Sequence, residues 1–319
     1  MAATTVTEMK IYNDLAQTSY LERIQDRIQV FNQNSQNALR LVNTIIPGDF
    51  QKKAFYQIGG SIAARDVTST STVTPSAIGA DEMISVKVPW KYGPYATTEE
   101  AFKRRARNPE EFSMLVGQDM ADAVLAGQLA HIIAALTGAI SANSSMIVDD
   151  KTLSSDGKKV LSAGLRTMGD KFGRIAIWVM DSGTYFDIVD QAITDKIYEE
   201  AGLVIYGGQP GTMGKPVLVS DACTADYIFG LQPGAAICTE SQVPGMISYP
   251  ITDQENMSLG FRGEGAFNVE VMGYSWDTST GGSNPESSDL STAANWDKYA
   301  TDDKNTAGFL IDLTSESGS

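Results

Sequence analysis

Apolar positions near the start of the chain fall at Leu21, Ile24, Ile28 and Phe31, a 3-4-3 spacing that lays one apolar stripe on an otherwise polar helix. Asn and Gln crowd the next stretch (Asn32, Gln33, Asn34, Gln36, Asn37), and Ile45 and Ile46 run into a Pro47-Gly48 stop. Residues 1–48 therefore read as an arm. No helical partner adjoins the stripe in sequence. It must bury itself on the chain's own body or on another molecule, and the pattern leaves both open.

The pattern changes at residue 49. Phe55, Tyr56 and Ile58 precede Gly59-Gly60, a Thr/Ser/Pro-rich run spans Thr68 to Ser76, and Ile84, Val86 and Val88 alternate with polar residues up to Pro89. This predicts two strands joined by a small-residue tip, a long hairpin over 49–96. It has little apolar content for its length, and a lone two-stranded ribbon is barely stable, so it must lie on something. A long helix follows. Asn108 suits an N-cap, Pro109 the first helical position, and Glu110 and Glu111 the positive end of the dipole. Phe112, Leu115, Val116, Met120, Ala123, Val124 and Leu129 carry the pattern toward Gly138, roughly 45 Å of helix at 1.5 Å per residue.

Residues 150–240 read as a mixed α/β unit. Lys158 to Met168 is helical in pattern, RIAIWVM (174–180) is a buried strand, and Asp181 or Ser182 caps a helix through Ile193. KPVLVSD (215–221) is a further strand, and YIFGLQPGAAICTE (227–240) predicts a hairpin turning at Gln232-Pro233-Gly234. Residues 256–276 form a long β stretch in which Phe267, Val269 and Val271 alternate. From Thr278 the composition predicts an irregular surface tail with one strand near Phe309-Leu310-Ile311. No internal repeat is visible.

Charge sharpens the functional picture. The 319 residues carry a formal net charge of −15. Residues 1–110 hold 13 Lys/Arg against 11 Asp/Glu, and residues 111–319 hold 11 against 28. Such acidity repels a phosphate backbone and argues against tight DNA binding. The asymmetry lets the front half of one copy meet the back half of another, and a solvated acidic surface explains it equally well. Met1 to Leu15 lacks the order of a signal peptide. Ala123 to Val148 carries no Asp, Glu, Lys or Arg, but Gln128, His131, Thr137, Ser141, Asn143 and Ser144 favour a helix packed inside protein over a bilayer span. The expectation is a soluble, cytoplasmic protein without membrane contact.

Catalytic chemistry is sparse. His131 is the only histidine, which removes His-containing triads built elsewhere and His-rich metal sites, and its apolar helical context predicts a packed residue. Cys223 and Cys238 are too far apart for a CxxC motif and read as buried thiols. Gly207-Gly208-Gln209-Pro210-Gly211 lacks the GK[ST] of a phosphate loop and reads as a turn. Asp149-Asp150 and Glu199-Glu200 are adjacent pairs that point apart and read as solvated. Trp90, Trp178, Trp276 and Trp296 are scattered as packing anchors. No catalytic residue, metal ligand or cofactor site is predicted.

The order of parts (arm, projecting hairpin, very long helix, compact α/β unit, returning β segment) resembles the major capsid proteins of tailed bacteriophages, the Hong Kong 97-type fold. GKPVLVSD (214–221) followed by YIFGLQPGA (227–235) is similar to a run in many phage coat proteins, and GEGAFNVEVMGYSW (263–276) and NWDKYATDDKNTAGFLI (295–311) resemble the closing segments of a subgroup. The resemblance covers residues 50 to 313. It implies an α+β fold divided into an N-terminal arm (1–48), an E-loop hairpin (49–96), a P-domain with spine helix (97–149), an A-domain (150–240) and a P-domain return strand with C-terminal tail (241–319). It implies a non-enzymatic subunit that self-assembles as hexamers and pentamers into an icosahedral shell around double-stranded DNA, without specific DNA binding. The partners so implied are copies of itself, a separate scaffolding protein, a portal and a decoration protein. Its place is the virion, and the host cytoplasm during assembly. An encapsulin-type nanocompartment shell is the alternative, and an enzyme on the α/β unit or a tail-tube protein are more distant ones. Arm and hairpin are expected to be ordered by neighbouring subunits, which makes Leu21, Ile24, Ile28, Phe31, Lys52, Lys53, Phe55 and Tyr56 the candidate interface residues. Some family members join subunits through a Lys–Asn bond; Lys52 and Lys53 match in kind only, and no bond is predicted.

Overall fold

The computed structural model describes residues 6–57, 62, 64–72, 74–75, 79–98, 100–101, 104, 109–157, 159–194, 196–200, 203–206, 212–242, 244–252 and 255–313. For 6–14, 55–57, 80–81, 109–110, 191–194, 196–200 and 203–206 the description is of the backbone alone. Asn108 and the glycine-rich run at 207–211 lie outside it.

A long helix, α1 (Val6–Asn34), leads into β1 (Leu39–Asn43), β2 (Phe50–Gln57) and the 20-residue β3 (Gly79–Thr98). The spine helix α2 (Pro109–Ser141) has 33 residues, about 50 Å at 1.5 Å per residue. After β4 (Ile147–Val148) come α3 (Lys159–Thr167), β5 (Ile177–Met180), α4 (Ser182–Thr194), β6 (Lys196–Glu200) and β7 (Leu203–Tyr206). The remaining strands are β8 (Val217–Val219), β9 (Tyr227–Leu231), β10 (Ala236–Glu240), β11 (Gly245–Ile251), β12 (Ser258–Val271), β13 (Tyr274–Trp276), β14 (Trp296–Lys298) and β15 (Gly308–Asp312).

Two sheets share the core. The first runs β1-β10-β12-β3-β2, with β11 also on β12. Its centre is β12, which carries β10 and β11 end to end on one edge and β3 along the other. Alternation places Phe267, Val269 and Val271 in the core together with Val86 and Val88 of β3. The spine helix covers this side, burying Met120, Val124, Ile132, Leu136 and Ile140. His131 is packed here as expected, edge-on to Phe267, with Nδ1 2.6 Å from the Gly127 carbonyl. Of the described helices α2 alone is long and apolar enough to cross a membrane, and half of its most apolar stretch is buried inside the protein.

The second sheet runs β4-β15-β9-β5-β8. All four residues of β5 are buried, as a strand with both faces covered requires. Two sequence expectations are corrected here. Residues 227–240 do not form a hairpin: β9 joins this sheet and β10 the other, because Gly234, at φ +75, turns the chain out of the plane after Pro233. Nor is the region after Thr278 a surface tail. Leu290, Trp296, Phe309, Leu310 and Ile311 are all buried, and β15 pairs with β4 on one side and β9 on the other. Its Ser/Gly/Asn-rich composition serves short turns between anchors, such as Trp296 set edge-on to Trp276 at 5.1 Å.

Candidate subunit interface

The arm behaves differently from its expected role. Tyr20 and Ile24 are wholly buried and Ala16 nearly so, against the chain's own core. Helix α1 crosses α2 at Gly117, where a Cβ would overlap the Ala16 carbonyl, so a glycine is needed for the helices to approach. Arg23 grips Asp122 with two bonds, Nε to Oδ1 at 2.9 Å and Nη2 to Oδ2 at 2.7 Å, and Arg27 stands 3.5 Å from the same carboxylate. The Arg23 bond holds the Asp122 carboxyl below the usual range. This pair is partly exposed and screened by solvent, so it adds little, whereas burying Tyr20 and Ile24 contributes roughly 1.5–3 kcal/mol each. Apolar burial decides the docking.

The expectation that this stripe is buried by a neighbour is therefore corrected for Ile24, whose surface its own subunit covers. Leu21, Ile28 and Phe31 are half-buried and pack on the same core. The fully buried face is Ala16–Tyr20–Ile24, a four-residue spacing that starts before Leu21. Tyr20 and Ala16 at i−4 and i−8 from Ile24 were the available signal. Residues 39–43, also assigned to the arm, are built in as β1, which pairs in parallel with β10 and buries Leu39 and Leu41.

A polar lock that the sequence did not reveal lies beneath α1. The Tyr20 hydroxyl donates to Glu240 Oε1 at 2.6 Å inside the core. The Asn43 amide, turned so that its nitrogen donates, reaches Glu240 Oε2 at 3.2 Å. Burial raises the Glu240 carboxyl above its ordinary range, partly opposed by the Tyr20 bond. Burial, reinforced by the Glu240 charge, also raises the Tyr20 hydroxyl. A carboxyl raised on folding stabilises fully below its unfolded value near 4.5, and the contribution is lost as pH rises through the folded value. The melting temperature is thus expected to fall across that window and the slope to flatten in Glu240→Gln; an unchanged slope in calorimetric melts at stepped pH counts against the lock.

The hairpin residues stand elsewhere. Strand β2 lies at one edge of the first sheet and pairs with β3 from Phe50↔Val86 to Gln57↔Gly79. Lys52 and Lys53 are exposed and paired, with Glu82 at 2.8 Å and Glu270 at 2.5 Å. Phe55 and Tyr56 occupy β2 by backbone register, and their side chains lie outside the described residues. The structure thus separates the eight candidates into a core-docked helix and an edge strand. At the sheet's far end, where β3, β11 and the start of β12 meet, Tyr95, Ile247 and Met257 are exposed apolar groups that the sequence reading did not single out.

Among the described residues, no group of three or more His, Cys, Asp or Glu is arranged to hold a metal ion. Both thiols are buried; Cys223 is pushed up to about 12, chiefly by burial.

Comparison with known proteins bears on the assembly. A solved structure from Microbacterium phage Oxtober96 is similar at 9% identity with TM-score 0.53, covering 87% of this chain and 90% of that one. The capsids of native and empty GTA particles are each 14% identical with TM-score 0.51, covering 75% of this chain and 86% or 85% of theirs. At such identities the likeness establishes the fold, which is of the Hong Kong 97 type. No curated protein sequence matches. The model of the Gp13-like family, described as major capsid protein 13-like, matches residues 8–310. With a long helix packed on the first of two sheets threaded by one chain, the chain belongs to this family of major capsid proteins and is a shell protein of a phage capsid.

Proposed function

We propose that copies of this chain close into the icosahedral head of a tailed phage around double-stranded DNA. The family match over residues 8–310 carries the reading. On it, β2 and the adjoining half of β3 serve as the E-loop, the first sheet with α2 as the P-domain, and the second sheet as the A-domain. The arm is then mainly α1, held on its own subunit. Lys52, Lys53, Phe55 and Tyr56 on the edge strand are the proposed contacts with neighbouring subunits, where the strand's unpaired edge is available. The charge of −15 lets the shell enclose nucleic acid without gripping it.

The reading extends to a non-enzymatic subunit, to assembly in the host cytoplasm, and to a scaffolding protein, a portal and a decoration protein as partners. The nanocompartment alternative is less supported, since the matched family is one of major capsid proteins. Electron microscopy of the purified protein, alone and with the phage's scaffolding protein, is expected to show closed shells or rings of five and six. A strictly monomeric species at high concentration with scaffold present overturns the proposal.

A further inference from the structure

A concavity of about 640 Å³ opens where β5 and β8 begin, lined by Arg174, Lys215, Gln36, Gln232 and Met272 among others. Two cations face it. Lys215 is half-buried and donates to the Ile175 carbonyl; Arg174 donates to Asn305 Oδ1 at 3.0 Å. Among the described residues neither forms an ion pair, although Lys171, Lys298 and Lys304 nearby are matched with Asp302, Asp303 and Asp170. Across the whole chain 39 carboxylates face 24 Lys and Arg, so acidic surface is plentiful on any second copy. Burial lowers the Lys215 pKa. Phe172 and Met213, each next in sequence to a lining glycine (Gly173 and Gly214), are 55% and 51% exposed, so apolar surface adjoins the two cations.

The opposite character appears at the other end of β5. Helix α4 starts two residues after that strand ends and presents Phe186, 60% exposed, beside the exposed Asp187. Asp187 forms no ion pair among the described residues. We propose that the concavity of one copy receives the Phe186–Asp187 surface of a second copy, with Asp187 between Arg174 and Lys215. The two surfaces differ and sit at opposite ends of one strand, so the contact is head-to-tail. Such contacts repeat from copy to copy and close into rings when the rotation allows. This rests on the shell reading and names the charges that would set the register within its rings.

Charge reversal tests it. Asp187→Lys, on an exposed helix position, is expected to keep a native circular dichroism spectrum and to raise the protein concentration needed for assembly about tenfold or more. Arg174→Glu with Lys215→Glu is expected to do the same, and mixing the two variant proteins to restore assembly only at alternating contacts. Combining all three changes in one chain is expected to restore rings and shells in full. Carbodiimide treatment of wild-type assemblies is expected to yield an intermolecular Lys215–Asp187 peptide by mass spectrometry. Wild-type protein that stays monomeric sinks the shell reading and this contact together. Normal shells from either reversed variant, or shells lacking that cross-link, sink the contact alone.

Discussion

Ile24→Asp is expected to lower the free energy of unfolding by about 4–5 kcal/mol, a large share of a typical domain's stability. Ile24 is wholly buried between α1 and the core, so the change removes an apolar side chain and leaves a carboxylate in its place. Arg23 and Arg27 are on the same helix but already engaged with Asp122. Val30 on α1 is 51% exposed, and Val30→Asp is expected to shift stability by only about 0.5 kcal/mol. Denaturant midpoints measure both. A near-native midpoint for Ile24→Asp combined with failed assembly would return the stripe to a neighbouring subunit.

Phe309→Ala is expected to cost about 3–5 kcal/mol. Phe309 is wholly buried on β15 and meets Trp178 edge-on at 5.7 Å. Its ring lies over Gly230 of β9 and Gly164 of α3, where added Cβ atoms would overlap it. A glycine on each side makes the slot, and the ring fills it. Gly230→Ala alone is therefore expected to destabilise by about 1–3 kcal/mol through overpacking. In the Phe309→Ala background it should do little harm, since the new methyl enters vacated space. Additive effects in the double-mutant cycle would show that the two positions do not share the slot.

These positions also show what the sequence revealed. The spine helix was legible because Pro109, Glu110 and Glu111 announce a start and apolar residues recur at helical spacing behind them toward Gly138. Strand β5 was legible as a continuous apolar run, and β12 by its alternation. The fate of α1 was not, because a stripe states that it must be covered and never by what; Gly117 and Glu240, which receive it, lie about 100 and 220 residues away along the chain. The split of 227–240 into two sheets escaped for a similar reason. Two adjacent strands with a Pro-Gly turn fit a hairpin locally, and only the partners β12 and β15 pull them apart. Among the candidate contacts, charge on β2 was visible, but the pairing of Lys53 with Glu270 depends on register across the sheet.

The two sheets are threaded by one chain that passes between them more than once: β1 to β3 in the first, β4, β5, β8 and β9 in the second, β10 to β12 in the first again, and β15 back in the second. Strand β15 is synthesised after every other strand of both sheets, yet it sits between β4 and β9 and supplies Phe309 to their shared core. A nascent chain that has not reached residue 308 cannot complete the second sheet, and contacts of such long sequence separation form slowly. The unit that bears the proposed ring contact is thus completed only after the sheet that bears the ribbon has all its strands. A chain cut short before residue 308 would carry every strand of the first sheet and lack the one that joins β4 to β9 in the second.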